Sequence, residues 1–551
     1  MAEMILPGVY IEVRPEGLIV PGQVTVGNLG VVGTASKGPI NEAVILGSYA
    51  NAREQFGDYD PWIDGGSDEL TLVRALELAY RHGATTAFAV RVAAETAAKA
   101  SFTLVSASGD CIQLLALSEG SWGNELSVNV APAEQNAFVE NESVSTATLT
   151  LAHIDVVKSA RNRIRLKPGG GGFEQTLKLL YDGSADVPVS GQVKVDRATG
   201  VLTFGETPAD TDTILASYMV DHDQAVKVTL RYRTIEEVYT VVSGDDLAHD
   251  LNDSAWARGE ALGNSAEIPE QSTPVTAFPQ FSGGDNGASG ADYEVGLEVL
   301  LNENAHIIVA AGQHDGDFGD ELAAHCQIAS TDNIKRDRIA VVGSAIKATL
   351  TDLTGHSQNS DRLIFVAPGI KAKDAAAAPP VDVILPGAYA AAAVAGLLAG
   401  VSPHISPTNK TLQVGGLEKV YNSAELTQLV QSRVLALEMR QGFRIVKGIT
   451  TSTNTAWHQI TTRRIVDFAK FGVRSASTPY IGLLNNERVR GRLQSTINSF
   501  LNEMVVDEML ISYQLEVTAT RDEERRGIVR VTMTLQPTFS IDFIKVTMFL
   551  E

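Results

Sequence analysis

Apolar runs and helical spacing near the start of the chain predict a parallel α/β sheet. The run Leu29 to Ala35 has the length and valine content of a buried strand. The next segment predicts a helix, with Ser67 as its N-cap, apolar residues at three- and four-residue spacing from Leu70 to Tyr80, and Gly83 at its exit. Ala87 to Val92 returns as a second strand, and this order is typical of α/β folds.

Between residues 93 and 280 the pattern changes to short apolar runs separated by turn-rich pieces, which predicts an all-β insertion. The predicted strands include Ile112 to Leu117, Leu126 to Val130, Gln192 to Val195, Ile214 to Val220 and Val226 to Tyr232. The α/β pattern then resumes, with a helix at Tyr293 to Leu301 and strands at Ile307 to Ala311, Ile339 to Val342 and Leu363 to Ala367. We therefore expect an interrupted α/β core made of residues 23–92 and 281–416.

The longest apolar run, Ile384 to Val401, has about the length of a short membrane span. It consists mostly of alanine and glycine, carries a proline near its start, and follows a strand-like segment. Small side chains permit close approach of two backbones, so the run predicts a buried helix lying against the sheet.

The last part of the chain predicts a separate α+β domain, residues 417–537. Helices are indicated at Ala424 to Arg440, where Asn422 and Glu425 have capping-box spacing, at Thr462 to Phe471 and at Glu487 to Met504. Two alternating strands, Ile511 to Ala519 and Gly527 to Leu535, flank the charged sequence TRDEERR and predict a hairpin with an exposed tip. A final strand is predicted at Ile541 to Leu550, inside an arm of residues 538–551, and an N-terminal arm and linker occupies residues 1–22.

Composition fits a globular protein of several domains. At 551 residues the chain is too long for a single core. Its formal charge is −22, and the insertion, with 13 basic and 26 acidic residues, supplies −13 of it, as expected of a solvated outer face. A nucleic acid partner is not expected, because anionic duplex would be repelled. The N-terminal sequence lacks the features of a secretory signal, so folding in the cytoplasm is expected, without direct membrane insertion.

No constellation of catalytic, cofactor-binding or metal-binding residues can be assembled from the sequence. The chain has no Gly-x-Ser-x-Gly elbow, and the glycine run at Pro168 to Gly172 lacks the Gly-Lys-Ser/Thr of a phosphate loop. Asp221, His222 and Asp223 form the densest histidine-containing group, in an acidic turn without further ligands nearby. The two cysteines, Cys111 and Cys326, have no metal or redox spacing. We expect a protein that is not an enzyme.

Several local signatures, in order along nearly the whole chain, resemble contractile tail sheath proteins. They are Leu6 to Tyr10 (LPGVY), Ser121 to Val130 (SWGNELSVNV), Phe281 to Gly287 (FSGGDNG), the helix Gly387 to Gly400 with the VSPHISPTNKTL that follows it, and the ending of long helix, hairpin, LQP turn and last apolar strand. The β insertion is where the resemblance is loosest.

The resemblance implies a subtilisin-like, non-catalytic core and a structural role. A sheath subunit would form hexameric rings and a helical polymer around an inner tail tube protein, would contact baseplate and terminator or cap proteins, and would contract to drive the tube into a target. It would be assembled in the cytoplasm of the producing bacterium and end in a virion tail or injection particle. The alternatives are a secreted or surface adhesin built on the insertion and, because of the subtilisin-like fold, a hydrolase.

The resemblance also implies that terminal strands are exchanged between subunits. Both arms alternate apolar residues and have no evident partner inside the fold, and strand addition to an exposed sheet edge is a known recognition mode. The predicted donor residues are Val9, Tyr10, Ile11, Val13, Phe543, Ile544, Val546, Met548 and Leu550. The predicted acceptor hairpin presents Tyr513, Leu515, Val517, Val529, Val531 and Met533.

One stretch of the acidic chain is locally basic. Between Arg433 and Arg492 there are 11 basic and 3 acidic residues. Solvated or intersubunit arginines would explain this, and so would an inner surface facing an acidic tube. For the second explanation the candidates are Arg463, Arg464, Lys470 and Arg474, which lie on or just after one predicted helix.

Overall fold

The computed structural model describes residues 27–62, 66, 68–183 and 186–550. The first elements are β1 (Leu29–Gly33), β2 (Ala43–Leu46), α1 (Tyr49–Phe56), α2 (Leu72–Arg81) and β3 (Ala87–Arg91). They are followed by β4 (Ser101–Ser106), β5 (Gly109–Ala116), β6 (Leu126–Pro132), β7 (Ala137–Val144), β8 (Val156–Val157), β9 (Arg163–Lys167), β10 (Gln175–Tyr181), β11 (Gln192–Val195), β12 (Leu202–Phe204), β13 (Thr213–Val220), β14 (Val226–Tyr232), β15 (Ile235–Val241), α3 (Gly244–Asp250) and β16 (Ala257–Ala261).

The remaining elements lie between residues 293 and 537. They are α4 (Tyr293–Leu301), β17 (Ile307–Ala310), α5 (Asp315–Ala329), β18 (Ile339–Gly343), α6 (Leu350–Thr354), β19 (Leu363–Ala367), β20 (Ile370–Asp374), β21 (Val381–Leu385), α7 (Gly387–Ala399), β22 (Thr411–Leu412), β23 (Gly416–Leu417), α8 (Ser423–Gln431), β24 (Leu435–Met439), β25 (Phe443–Ile445), α9 (Ile460–Ser477), α10 (Glu487–Val506), β26 (Leu510–Thr518), α11 (Arg521–Arg525) and β27 (Arg530–Pro537).

The chain forms two compact units. The first contains the described residues up to Ala35, then Ile40–Ala94 and Ala288 onward, and the second contains Ser36–Pro39 and Glu95–Gly287. The mixed α/β multidomain architecture predicted from the sequence is therefore confirmed, with an insertion that interrupts the first unit.

A nine-stranded sheet in the order β2-β3-β1-β17-β18-β19-β24-β25-β22 forms the centre of the first unit. Its middle strands, from β3 to β24, pair in parallel. Side chains on these strands alternate between two hydrophobic clusters: Leu29 and Val31 of β1 join the cluster that contains α2 and α7, and Val32 joins the cluster that contains α4, α5 and α8. Buried on both faces, such strands are apolar throughout, which is why they are recognisable in the sequence.

Helix α7 is the small-residue helix predicted from the run at 384–401. All 13 of its residues are buried, and it packs against α2 and the sheet. A Cβ placed on Gly396 would lie 2.2 Å from the Ala79 carbonyl oxygen in the backbone of α2. Glycine at this position is what allows the two helices to approach so closely. Among the described residues, no helix is long and apolar enough to span a membrane.

The second unit is β-rich and has two hydrophobic clusters of its own. A seven-stranded sheet contains β7 to β13, and two three-stranded sheets have the orders β15-β14-β6 and β16-β5-β4. One cluster runs from Ala100 to Phe281 in sequence and the other from Ala133 to Val242, and both consist of residues of this unit alone. Of the predicted insertion strands, Gln192–Val195 and Val226–Tyr232 have the predicted bounds.

Two predictions for the first unit need correction. The predicted helix Ala424 to Arg440 ends at Gln431 and is followed by β24, which pairs in parallel with β19. The core sheet thus extends beyond the predicted boundary at residue 416, through β24 and β25. Arg433, with a φ of 67°, turns the chain out of the helix without the glycine that usually marks such an exit. The capping box of Asn422 and Glu425 is present as predicted.

Candidate functional site

The hairpin in the last part of the chain is a two-stranded sheet supported by helices on one face. Strands β26 and β27 pair antiparallel, with Tyr513 opposite Leu535 and Val517 opposite Val531. A two-stranded sheet has little stability alone, so its packing on α9 and α10 sustains it. Within the described residues neither strand has a second neighbour, which leaves two open edges.

The two faces of the hairpin differ in polarity. The inner face carries the six residues predicted as strand acceptors, and all of them pack on the hydrophobic cluster formed with α9 and α10: Tyr513, Leu515, Val517, Val529, Val531 and Met533. The outer face alternates with them and is polar and exposed, with Gln514, Glu516, Thr532 and Thr534. Any strand added at an edge would therefore need one apolar and one more polar face.

The tip of the hairpin is the short helix α11 rather than an open loop. Thr520 and Glu523 form a capping box, and the Arg530 guanidinium donates to Glu523 at 2.6 Å. These hydrogen bonds from the Thr520 backbone and side chain and from Arg530 hold the pKa of Glu523 down at about 2. Arg490 of α10 donates to Glu524 at 2.9 Å, so the tip is fixed to the helix beneath it.

The chain after β27 has no regular secondary structure in the described residues up to Leu550, which corrects the predicted strand Ile541 to Leu550 for the isolated chain. Its predicted donor side chains are exposed: Phe543, Ile544, Val546, Met548 and Leu550. The start of the arm is nevertheless anchored. Asp542 accepts from Gln459 at 3.3 Å and pairs with Lys447 at 3.4 Å, and the Lys447 ammonium lies 5.3 Å from the centre of the Phe543 ring.

The other predicted donor residues, Val9, Tyr10, Ile11 and Val13, lie outside the described residues, as does the predicted helix cap Ser67. The helix itself begins at Leu72, after Thr71. The N-terminal arm stays a prediction.

Two of the four cations predicted to face a tube are buried. Arg463 and Arg464 are each 6% exposed. Arg463 pairs with Asp361 at 2.9 Å and with Asp467 at 2.7 Å, and Arg464 donates to the Val401 carbonyl oxygen at 3.0 Å. The prediction is wrong for these two, because a side chain enclosed by its own fold cannot contact a partner surface. The sequence of α9 does not indicate that these two cations point into their own domain.

The other two cations, Lys470 and Arg474, also turn toward the core domain. Both bind the carboxylate of Asp337, which is 4% exposed and is shared with Arg362 at 3.3 Å. Arg362 in turn pairs with Asp467 on α9 at 2.9 Å. These residues form an ionic network that fastens α9 to the core sheet. Because Lys470 and Arg474 keep about a third of their side-chain surface exposed, their tube-facing role stays a prediction.

Helix α10 carries two exposed cations of this region. Arg488 and Arg492 are exposed near the start of this helix, directly after a turn whose apolar side chains face solvent: Ile481 is 82% and Leu484 77% exposed. The sequence did contain a signal for this surface. The turn reads YIGLLNN, with bulky apolar residues where a connection between two helices is usually polar.

Asp221, His222 and Asp223 do come together in the structure, and His222 lies 3.3 Å from Asp223. All three side chains are well solvated, and Asp221 and Asp223 flank a short 3₁₀ turn in which Asp221 accepts from the Asp223 backbone. The group is an exposed acidic turn, as the sequence indicated.

Two family models match consecutive parts of the chain. The phage tail sheath protein central domain matches residues 286–451, and the phage tail sheath C-terminal domain matches residues 452–551. The point where they meet follows β25, where the core sheet ends and the segment leading to α9 begins.

Residues 286–551, just under half of the chain, are thus related in sequence to the phage tail sheath proteins. Sheath proteins are structural components and not enzymes, and these matches support the expectation that this chain is not an enzyme. A tail sheath protein of Staphylococcus phage Twort is 28% identical over 226 residues, which is 38% of this chain and 37% of the relative. The matched region thus spans little more than a third of that curated relative's length.

Solved structures of sheath tail proteins share the fold. The protein from Desulfitobacterium hafniense matches with a TM-score of 0.58 at 12% identity, covering 96% of this chain and 100% of its own. The protein from Listeria innocua matches with a TM-score of 0.59 at 13% identity, covering 94% of each chain. At such low identity these likenesses concern the fold of the chain alone, including the second unit that the family models leave unmatched.

Proposed function

We propose that this chain is the subunit of a contractile sheath, which polymerises as stacked hexameric rings around a tail tube and shortens to drive the tube through a target envelope. The observation that carries the proposal is an exposed, apolar C-terminal arm next to a hairpin with two open edges. Exposed strand edges and exposed apolar segments are hazards in a monomer, and they become an interface in a polymer.

The arm has the alternation that the hairpin requires. If residues 543–550 are extended, Ile544, Val546, Met548 and Leu550 share one face, and Phe543, Lys545, Thr547 and Phe549 share the other. The first set would continue the apolar inner face of a neighbour's hairpin over its helices. The second set would lie beside the polar outer face. Strand addition in this register supplies main-chain hydrogen bonds and specificity together.

The strength of such a joint can be estimated. About five backbone hydrogen bonds at about 0.5–1.5 kcal/mol each, with four large apolar side chains at about 1.5–3 kcal/mol each, give a gross stabilisation of about 8–20 kcal/mol before the entropy of ordering the arm is subtracted. Strand exchange of this kind would hold subunits together while they tilt and slide, so the polymer can have an extended and a contracted packing. The free-energy difference between the two would do the work without nucleotide hydrolysis.

The tube, baseplate and terminator or cap proteins are the partners expected of such a sheath, in a virion tail or an injection particle assembled in the bacterial cytoplasm. For the tube contact we propose the exposed pair Arg488 and Arg492, with Lys470 and Arg474 as secondary candidates. The subtilisin-like description of the core belongs to the same proposal. A nucleic acid partner and membrane insertion are not part of it.

Deleting Ile541–Glu551 tests the proposal. The truncated chain should remain folded and monomeric, because no described residue of the arm belongs to a hydrophobic cluster of the first unit. Val546→Pro should act in the same direction, since it removes one main-chain donor, whereas Val546→Thr keeps the backbone donor and should assemble nearly as wild type. Deletion of Met1–Val13 is the matching test of the other arm.

Size-exclusion chromatography, circular dichroism and negative-stain microscopy separate the outcomes. Wild-type chain should form long hollow cylinders on overexpression, which an exported adhesin would not do. Intact cylinders from the truncated chain would remove strand exchange from the proposal, and unfolded aggregates would mean that the arm serves its own domain.

Arg488→Glu with Arg492→Glu tests the tube contact. The double variant should still assemble into free cylinders but should bind tube weakly, with Arg440→Glu, an exposed change on the core domain, as the matched control. Normal tube-bound particles from the double variant would refute the assignment.

A further inference from the structure

A small cavity lies between α9 and the core sheet, at the edge where the parallel strands begin. Its volume is about 30 Å³, and its walls include residues 304–307, which lead into β17, and residues 335–337 and 339, which lead into β18. Arg464, Asp467 and Phe471 close it from one face of α9. A space of this size holds one or two water-sized particles.

Two polar atoms at this cavity have no partner in the protein. The Nη1 of Arg464 and the Nδ1 of His306 are both buried and without a hydrogen bond. Within the described residues, Arg464 contacts no carboxylate, and its one hydrogen bond goes to a backbone carbonyl oxygen. An unsatisfied buried donor is costly, and an unpaired buried charge more so.

The charges around the cavity are unbalanced. Its two carboxylates are already neutralised: Asp337 binds Lys470, Arg474 and Arg362, and Asp467 binds Arg362 and Arg463. Two further guanidinium groups, Arg336 and Arg338, have only neutral acceptors, among them Asn304 and the carbonyl oxygens of Leu300 and Glu303. The contact between α9 and the core sheet therefore has an excess of positive charge in a partly buried setting.

The same positive charges shift the pKa of His306. Burial lowers its pKa to about 4, and the nearby guanidinium groups of Arg338, Arg464 and Arg336 lower it in the same direction. The imidazole is therefore neutral at pH 7, and it can still donate one N–H to a bound group.

We propose that this cavity is a binding site for one small monovalent anion of about the size of chloride, held by Arg464 and His306. The anion receives a hydrogen bond from Arg464 Nη1 and one from His306 Nδ1–H, and it balances the guanidinium charge at the joint between α9 and the core sheet. The binding is independent of the proposed sheath function, because the site lies within one chain.

Bromide is the probe for the site. Crystals of the full chain grown in sodium bromide should show an anomalous peak between Arg464 Nη1 and His306 Nδ1, and a site filled by water alone would show none and overturn the proposal. In solution, the unfolding midpoint should be at least about 2 °C higher in sodium chloride or bromide than in sodium gluconate at equal ionic strength.

The variant Arg464→Met should lose this difference between chloride and gluconate. The matched control is Arg525→Met, which removes an exposed arginine from α11 and should keep the wild-type difference. If Arg464→Met responds to chloride as the wild type does, the site is not at Arg464. If that variant does not fold, the anomalous peak in wild-type crystals decides the matter alone.

Discussion

At the scale of single residues, the C-terminal part of the chain is attached to the core through buried charges rather than through apolar contact alone. Asp337 collects three cations, two from α9 and one from the strand-bearing core, and no apolar residue could replace it without leaving them unpaired. The basic residues of α9 can be counted from the sequence, but the direction in which their side chains point cannot be predicted. Their partner Asp337 lies more than a hundred residues earlier in the chain. The exposed Arg488 and the buried Arg464 look alike in a sequence.

Asp337→Asn should destabilise the first unit by about 3–5 kcal/mol, because it leaves Lys470, Arg474 and Arg362 without their shared carboxylate. Chemical denaturation followed by circular dichroism measures the change. Asp332→Asn is the matched control: this carboxylate is fully exposed and lies 3.6 Å from Arg474, so its loss should change stability by less than about 1 kcal/mol. Equal effects of the two variants would contradict the network.

A buried histidine should make the protein sensitive to acid. His325 Nε2 accepts from Arg338 at 3.0 Å, since an arginine can only donate, and burial together with the Arg338 charge lowers the His325 pKa to about 3. The unfolded chain binds a proton near pH 6.5 and the native chain does not. Stability is therefore retained above pH 6.5 and falls as the pH decreases from 6.5 toward 3.

The variant His325→Gln should lose stability less steeply than wild type over that interval, because the amide oxygen can accept from Arg338 without titrating. Urea denaturation at a series of pH values gives the slopes. His249→Gln, a change at an exposed side chain, should leave the wild-type slope in place. Parallel slopes for wild type and His325→Gln would show that other groups cause the acid sensitivity.

At the scale of elements, the sequence predicted those whose residues are buried on both faces or repeat at a clear period. Strands β1, β3 and β19 and helices α7 and α10 were predicted at nearly their observed positions. The failures share a cause outside the segment itself. The short apolar run around β24 fits the period of a helix as well as that of a strand, and it follows a clear helix start, so it was assigned to the helix. Only its pairing with β19 identifies it as a strand. Likewise the arm was predicted as a strand from its alternation, but within the described residues of the chain it has no strand to pair with.

Gly396→Ala should destabilise the core by about 1–3 kcal/mol, because the new Cβ would meet the backbone of α2 and would push two buried helices apart. Gly491→Ala is the matched control on α10: no atom lies within 4 Å of a Cβ built there, and alanine favours a helix by up to about 1 kcal/mol. Thermal unfolding should move in opposite directions for the two variants. A neutral result for Gly396→Ala would mean that the helices can separate at no cost.

At the scale of the whole molecule, the two units keep their hydrophobic interiors apart. The clusters of the second unit draw only on residues between Ala100 and Phe281, and those of the first unit draw on none of these. The sequence shows the change of pattern near residues 93 and 280, because strands with a two-residue period replace helices and strands that are buried on both faces. The sequence does not show where the core sheet ends, because β24 and β25 return to that sheet after α7 and α8.

The fragment 95–287 should therefore fold in isolation. It should unfold cooperatively on heating and give a near-ultraviolet circular dichroism signal from Trp122 and Trp256, both of which are buried in its first cluster. A destabilising change inside it, Val228→Ala, should lower its melting temperature, whereas Val187→Ala, at a side chain 82% exposed, should not. A fragment without a cooperative transition would show that the second unit depends on the first.

The contacts of Asp542 with Gln459 and Lys447 fix the start of the C-terminal arm, and they limit how far a subunit paired with the rest of the arm could move. Residues 543–550, which follow that carboxylate, reach about 27 Å when fully extended. In the proposed polymer, a strand paired with a neighbour along most of that length would leave almost no slack, so the arm would act as a short tether of nearly fixed length. Two subunits joined in this way could pivot about the anchor, but they could not separate by much more than the tether allows. A change in the pitch of such a polymer would then come from rotation about these contacts, and lengthening the segment between Asp542 and Ile544 would loosen the coupling from one subunit to the next.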